Sequence, residues 1–253
     1  MRWVSASELL DRLLDLEKDV LYREPALDAT SRIGRVSGSV PVLLSAPHGA
    51  IHTRGGQLKE EEEFTAALAC YVAHVTDANA LYARRQSPTD PNFYREVPYK
   101  GQLSAIADEV PLRFVLDLHG MAPDRPVGLA LGTMEGESCP DHRGRILEYL
   151  RAQGFRSDAP FPDRLDVDQT FTAIGVGEQE TITSFVSQRL GVPAAQVELH
   201  PLLRVVERRE DASLPRPFCG DPNRISRVVQ ALVHMVEEFG ARAVATDSAL
   251  GDG

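Results

Sequence analysis

Two histidines, each followed by glycine and each closing an apolar run, are the first residues here whose types and spacing could do chemistry. They are His48 in Pro41-Val-Leu-Leu-Ser-Ala-Pro-His-Gly49 and His119 in Leu112-Arg-Phe-Val-Leu-Asp-Leu-His-Gly120. Between them lies the acidic run Glu60 to Glu63. Two imidazoles and one carboxylate are three ligands for a zinc ion, with a fourth position left for water, as metal-assisted hydrolysis requires. Composition leaves open which of the four acids that would be; the others read as the solvated start of a helix, where the dipole favours negative charge. Asp117 precedes His119 by two, so the strand pleat puts both on one face. A carboxylate there could orient the imidazole; the plainer alternative is that both simply cap a strand. Glu198 and His200 also share a face, alternating with Val197 and Leu199. An acid at a strand end beside zinc suits proton transfer to and from water and leaving group; the alternative is a surface carboxylate paired with Arg204. His52 could pair with His48 on a helix, but Gly49 and Arg54-Gly-Gly argue against a helix there.

Other chemistries find little support. There is no Gly-x-Ser-x-Gly elbow and no phosphate-binding Gly-x4-Gly-Lys-Ser/Thr loop. Gly175-Val-Gly177 lacks the third glycine of a dinucleotide fingerprint. The three cysteines, Cys70, Cys139 and Cys219, are far apart, so neither a disulfide framework nor a thiolate zinc site is indicated. Cys70 falls mid-helix near an apolar face, where an inert buried thiol is expected, and Cys139 and Cys219 fall in loops.

A net charge of −10 argues against a nucleic-acid surface, which needs clustered Lys and Arg. The N-terminal stretch carries Glu8, Asp11, Arg12, Asp15, Glu17 and Lys18, so it has no signal-peptide apolar core. No stretch approaches the ~18 apolar residues of a membrane span. A cytoplasmic protein is expected, and 253 residues suit one domain with a sizeable core.

The elements that must position these side chains follow from periodicity. Ser5 to Asp19 predicts an amphipathic helix with Ser5 and Glu8 in capping-box spacing and an apolar stripe of Leu9, Leu10, Leu13 and Leu16. A short strand is expected at Arg32 to Val36, then the strand before His48, ended by Pro47. Helical spacing from Glu61 to Val75 has the acids opening the helix. Ala80 to Arg84 reads as strand and Ser87 to Lys100 as a proline-rich loop with a turn at Asp90-Pro-Asn92. Leu112 to Leu118 and Val127 to Leu131 are strands, and Asp141 to Ala152 is a helix. Asp158 to Asp168 reads as loop, Glu178 to Leu190 as helix and Ala195 to Leu199 as strand. The last helix opens at Asp221-Pro222 and ends at Gly240, with a frayed tail at about 246–253. Strands alternating with helices imply an α/β fold, a mainly parallel or mixed sheet covered by helices on both faces. Ligands then collect at the carboxyl ends of the strands, where His48, His119 and Glu198 all fall.

Ser45-Ala-Pro-His-Gly49, Leu116-Asp-Leu-His-Gly120 and Gln196-Val-Glu-Leu-His200, in that order, resemble the N-formylglutamate amidohydrolase family over about residues 40–205. They are also similar to the zinc-dependent poly-gamma-glutamate hydrolases, which share a fold with the zinc carboxypeptidases. The resemblance implies that fold and one Zn2+ held by His48, Glu62 and His119. Glu62 is the choice because Thr65-Ala-Ala-Leu-Ala69 follows it at the family's spacing. It implies Glu198 as catalytic acid. Asp90-Pro-Asn92 is similar to the family's Asp-x-Asn-Arg segment that contacts a substrate carboxylate, but Phe93 and Tyr94 intervene before Arg95. Asn92, Arg95 and Arg84 are therefore the candidates for anion binding and oxyanion stabilisation. The implied substrate is a small acidic acyl-amino acid or a gamma-glutamyl compound, cleaved at an amide. A gamma-glutamyl or carboxypeptidase-type metallopeptidase is the rival enzyme, and a non-catalytic binding module on the same fold is the rival of another class.

Overall fold

In the computed structural model, residues 4–28, 31–206 and 220–241 are described. Their centre is a seven-stranded sheet in the order β10-β9-β11-β8-β3-β6-β2. The strands are β2 (Ile33–Val36), β3 (Val42–Ala46), β6 (Asn79–Ala83), β8 (Phe114–Gly120), β9 (Leu129–Gly132), β10 (Leu165–Val167) and β11 (Ala194–Leu199). β6, β3, β8 and β11 run parallel, whereas β2 and β9 are antiparallel to β6 and β11, so the sheet is mixed.

Both faces of the sheet are covered, and the strands read accordingly. Val42, Leu44 and Ala46 point to one face and Leu43 to the other; Phe114, Leu116 and Leu118 likewise oppose Val115. Four helices pack on the first face: α1 (Ala6–Glu17), α2 (Thr65–Thr76), α4 (Pro140–Ala152) and α6 (Pro222–Ala241). The second face is covered by α3 (Pro98–Glu109), through Tyr99, Leu103 and Ile106, and by the short α5 (Ile182–Ser184) with the π-wound turn Phe185–Arg189. Strands buried on both sides are continuous apolar runs, and that is why these were legible. Among the described residues no helix is long and apolar enough to cross a membrane.

Several expectations are corrected. The acids do not open a helix: α2 begins at Thr65, because Phe64 adopts a left-handed backbone (φ 64°) that separates Glu60 to Glu63 from it. The loop reading to Lys100 hides α3, which starts at Pro98, a residue suited to a first helical turn. The helix expected from Glu178 begins only at Ile182, where the Thr181 side chain caps it by accepting from Ser184 N–H at 2.9 Å. Asp158 to Asp168 contains β10. A hairpin, β4 (His52–Arg54) with β5 (Gln57–Lys59), and a two-stranded pair, β1 (Leu21–Pro25) with β7 (Arg85–Gln86), were not expected. Cys70 and Cys139 are buried, and burial pushes the Cys139 thiol up to about 11. Cys219 and the tail at 246–253 lie outside the described residues.

Candidate metal centre

β3, β8 and β11 are neighbours, and their carboxyl ends carry His48, His119 and Glu198 to one edge of the sheet. Glu198 is the register partner of His119 across the parallel β11–β8 pair, so the two side chains share a face. Close backbone approach is built in after each histidine. A Cβ on Gly49 would lie 2.7 Å from the Ala83 carbonyl oxygen, and one on Gly120 would lie 2.5 Å from the Arg204 guanidinium carbon.

Glu62 reaches this edge from the segment before α2. Its Oε1 lies 2.8 Å from His48 Nδ1, and its Oε2 lies 3.1 Å from His119 Nδ1 while accepting the Gly120 N–H at 2.9 Å. Of the run Glu60 to Glu63 it is the acid bonded to both imidazoles; Glu61 turns to Arg23. The far nitrogens are held as well. His48 Nε2 meets Asp90 Oδ1 at 2.9 Å, and His119 Nε2 meets Asp117 Oδ2 at 3.0 Å. Asp117 is itself fixed by Ser45 Oγ at 2.9 Å. Each ring therefore has a buried carboxylate behind it and presents Nδ1 to Glu62. His48, Glu62 and His119 offer ligand atoms all within 4.8 Å of one another.

Burial and charge set the protonation. Burial alone would lower both histidine pKa values, but the surrounding carboxylates outweigh it: His48 is raised to about 9 by Glu62 and Asp90, and His119 is raised by Asp117 and Glu62. Burial would raise Glu62, yet the two imidazoles hold it well below the ordinary carboxylate range. Glu198 goes the other way. Burial pushes it up to about 7, and one oxygen is held by Gln196 Nε2 at 2.9 Å.

The donor set fits a zinc ion: two imidazole nitrogens and a carboxylate, each ring fixed by a carboxylate on its other nitrogen. A second grouping, His48, His52 and Asp90, also lies within 4.8 Å. His52 stacks on His48 with centroids 4.0 Å apart, not through a helix but as the first residue of β4. There Asp90 is already engaged, with Oδ2 accepting from Arg54 Nε at 2.5 Å and Oδ1 accepting from Asn92 N–H at 2.8 Å. The positive charge of that guanidinium disfavours a cation beside it, so the Glu62 side is the better metal site.

Of the remaining expected residues, Asn92 meets the cluster through its main chain, at Asp90, and the others are bonded elsewhere or exposed. Arg84 is bonded to Asp19 through Nη2 at 2.6 Å, and Asn92 Oδ1 accepts from Ile182 N–H at 2.7 Å. Arg95 is exposed. His200 turns away to cap a short helical turn and faces the Pro123 carbonyl oxygen at 3.2 Å. Arg204 does not pair with Glu198; it donates to the carbonyl oxygens of Leu199 and Glu63. Asp90 and Arg54 were missed as members of the centre. Asp90 offered turn chemistry and a likeness to a substrate-contacting segment, neither of which pointed to His48, and Arg54 only its place beside Gly-Gly.

No family model matches the chain, and no curated protein matches it. Solved structures do. The N-formylglutamate amidohydrolase of Ralstonia eutropha JMP134 superposes with a TM-score of 0.55 at 12% identity, covering 84% of this chain and 99% of that one. The chain shares that enzyme's fold. A bacteriophage poly-gamma-glutamate hydrolase gives 0.47 at 12% identity over 83% of this chain and 91% of its own. A metallo-carboxypeptidase of Pseudomonas aeruginosa gives 0.47 at 16% identity over 92% and 68%.

Proposed function

We propose that this protein is a zinc-dependent hydrolase that cleaves the amide bond of a small N-acylated acidic amino acid. The observation that carries the reading is the convergence of His48 Nδ1 and His119 Nδ1 on the two oxygens of Glu62, each ring backed by a buried carboxylate. His48, Glu62 and His119 would hold the ion. When bound, such an ion supplies Lewis-acid chemistry, polarising the scissile carbonyl and acidifying water.

The chain's own residues do the rest. Glu198, held by Gln196 and raised to about 7, is suited to take a proton from water and return it to the leaving amine, since a shuttle works best with a pKa near ambient pH. Arg54 is the arginine bonded into the cluster, through Asp90, and its side chain remains 36% exposed. We assign it the substrate carboxylate, in place of Arg84 and Arg95, because a guanidinium suits planar anions.

The test is a metal titration joined to a substrate panel. The purified protein should bind one equivalent of Zn2+, His119→Ala should lose it, and N-formylglutamate should be hydrolysed faster than gamma-linked oligoglutamate or peptides with a free carboxyl end. Preference for the oligomer or peptides would move the protein to the peptidase reading. No bound metal and no hydrolysis across the panel would leave only a binding module.

A further inference from the structure

The segment that delivers Glu62 to the two histidines is held residue by residue, each time by a different part of the chain. Glu62 N–H donates to the His48 carbonyl oxygen at 2.8 Å. The Glu63 carbonyl oxygen accepts from the buried Arg204 Nη1. Phe64 N–H donates to Glu17 Oε1 at 2.6 Å, and one turn further on Ala67 N–H donates to Glu17 Oε2 at 3.1 Å.

Glu17 is the last residue of α1 and an unusual one. It continues the buried stripe of Leu9 and Leu13 at four-residue spacing and is only 7% exposed. A carboxylate in that position is expensive to bury without partners. Its partners are the N–H groups of Phe64 and Ala67, at the start of α2, and the Tyr22 hydroxyl, which donates to Oε1 at 2.5 Å. Phe64 supplies no side-chain cap to α2, so Glu17, from a different helix, does the capping.

The Phe64 backbone explains why such a clamp is needed. A left-handed conformation at a non-glycine residue costs about 1–2 kcal/mol, and a bulky aromatic one has no local hydrogen bond to offset it. Left to itself, the turn would relax to the ordinary right-handed region and rotate the residues before it. Glu62 stands two positions upstream. From this geometry we infer that Glu17 is a positioning residue for the metal centre: by fixing Phe64 and the start of α2, it sets the direction from which Glu62 meets His48 and His119. The inference rests on the metal reading above.

Glu17→Gln tests it, keeping size while offering an amide N–H where Ala67 N–H now finds an acceptor. The readout is Zn2+ affinity of the folded protein, by competition with a chromogenic chelator, with far-ultraviolet circular dichroism confirming the fold. The expected result is a roughly 10–100-fold weaker affinity, the range for groups that orient a ligand. Tyr22→Phe, which leaves both α2 bonds in place, should bind like the parent, a contrast that a general loss of packing would not produce. Unchanged Zn2+ affinity in Glu17→Gln overturns the inference while leaving the metal reading intact. A parent protein that binds no Zn2+ overturns both. If Glu17→Gln does not fold, linkage supplies the second test: coupling is reciprocal, so saturating Zn2+ must slow hydrogen exchange at the Phe64 and Ala67 amides of the parent. Unchanged exchange there overturns the inference.

Discussion

Replacing Asp90 with asparagine would show whether the far side of His48 belongs to the metal centre. Asp90 is fully buried, and its oxygens are divided: Oδ1 meets His48 Nε2 at 2.9 Å, and Oδ2 accepts from Arg54 Nε at 2.5 Å. Asp90→Asn keeps the shape and one carbonyl oxygen and removes the charge. If that oxygen stays on His48, the new amide nitrogen faces Arg54 Nε, donor against donor. Arg54, 36% exposed, can turn to water, at the cost of a charged hydrogen bond worth about 1.5–3 kcal/mol. His48 keeps its tautomer but loses the anion that makes it a strong ligand. Carboxylates behind metal-binding histidines are worth roughly 10–100-fold in affinity, which is about 1.4–2.7 kcal/mol. Zn2+ affinity should be measured by chelator competition, and stability of the metal-free proteins by urea denaturation, so that the two losses are separated. A variant that is less stable yet binds Zn2+ like the parent would confine Asp90 to holding Arg54. Nδ1 would then stand as the ligand atom of His48 on its contact with Glu62 alone.

Glu198→Gln should retain Zn2+ and lose hydrolysis by roughly 10²–10⁴-fold, the usual worth of a positioned acid–base group; near-parent turnover would remove Glu198 from the chemistry. Arg54→Ala should raise KM for an acidic substrate by roughly tenfold or more, with little effect on a neutral analogue; an equal effect on both would show that Arg54 acts only through Asp90. Stability should also depend on Glu17, whose carboxyl is raised by burial from 4.5 to about 7. The folded state binds that proton more tightly than the unfolded chain, so the associated stability is present below pH 4.5 and falls as pH rises to about 7, by about 3 kcal/mol in all. Glu17→Gln should abolish this fall, and parallel urea-stability profiles for the two proteins across that window would contradict it.

How much of this was legible beforehand depended on how local each signal is. His48 and His119 could be found because a buried parallel strand is a plain apolar run and each run ends in His-Gly. Glu198 followed from period-2 alternation in β11. Glu62 could not be separated from its neighbours by periodicity, since the left-handed turn at Phe64 breaks the helix pattern where the acids lie. Only the spacing to Thr65-Ala-Ala-Leu singled it out. Asp90 was hidden for the opposite reason: Asp-Pro-Asn is good turn chemistry, and its bond to His48 spans 42 positions. Glu17 looked like one more surface acid of an amphipathic helix, although its spacing from Leu9 and Leu13 placed it on the buried stripe. The short β4–β5 hairpin carried too few residues to show alternation, and Arg54 went unseen with it.

These hidden residues also bear on the charge of the ion. Glu62, Asp90 and Asp117 contribute three carboxylates to the cluster, and Glu198, raised to about 7, is partly ionised at neutral pH. Arg54 and the buried Arg204 bring positive charge, and the carboxylates favour protons on both imidazoles. A divalent cation bound by two neutral imidazoles carries the same charge as those two protons, so exchanging the one for the other leaves the total unchanged. A monovalent ion in exchange for the same two protons would make the cluster one unit more negative, which is costly in a low-dielectric interior. If His48, Glu62 and His119 hold an ion as proposed, charge favours a divalent one, and Na+ or K+ should compete with Zn2+ only through ionic strength. Specific displacement of Zn2+ by either would mean that the charges around His48 and His119 have been misassigned.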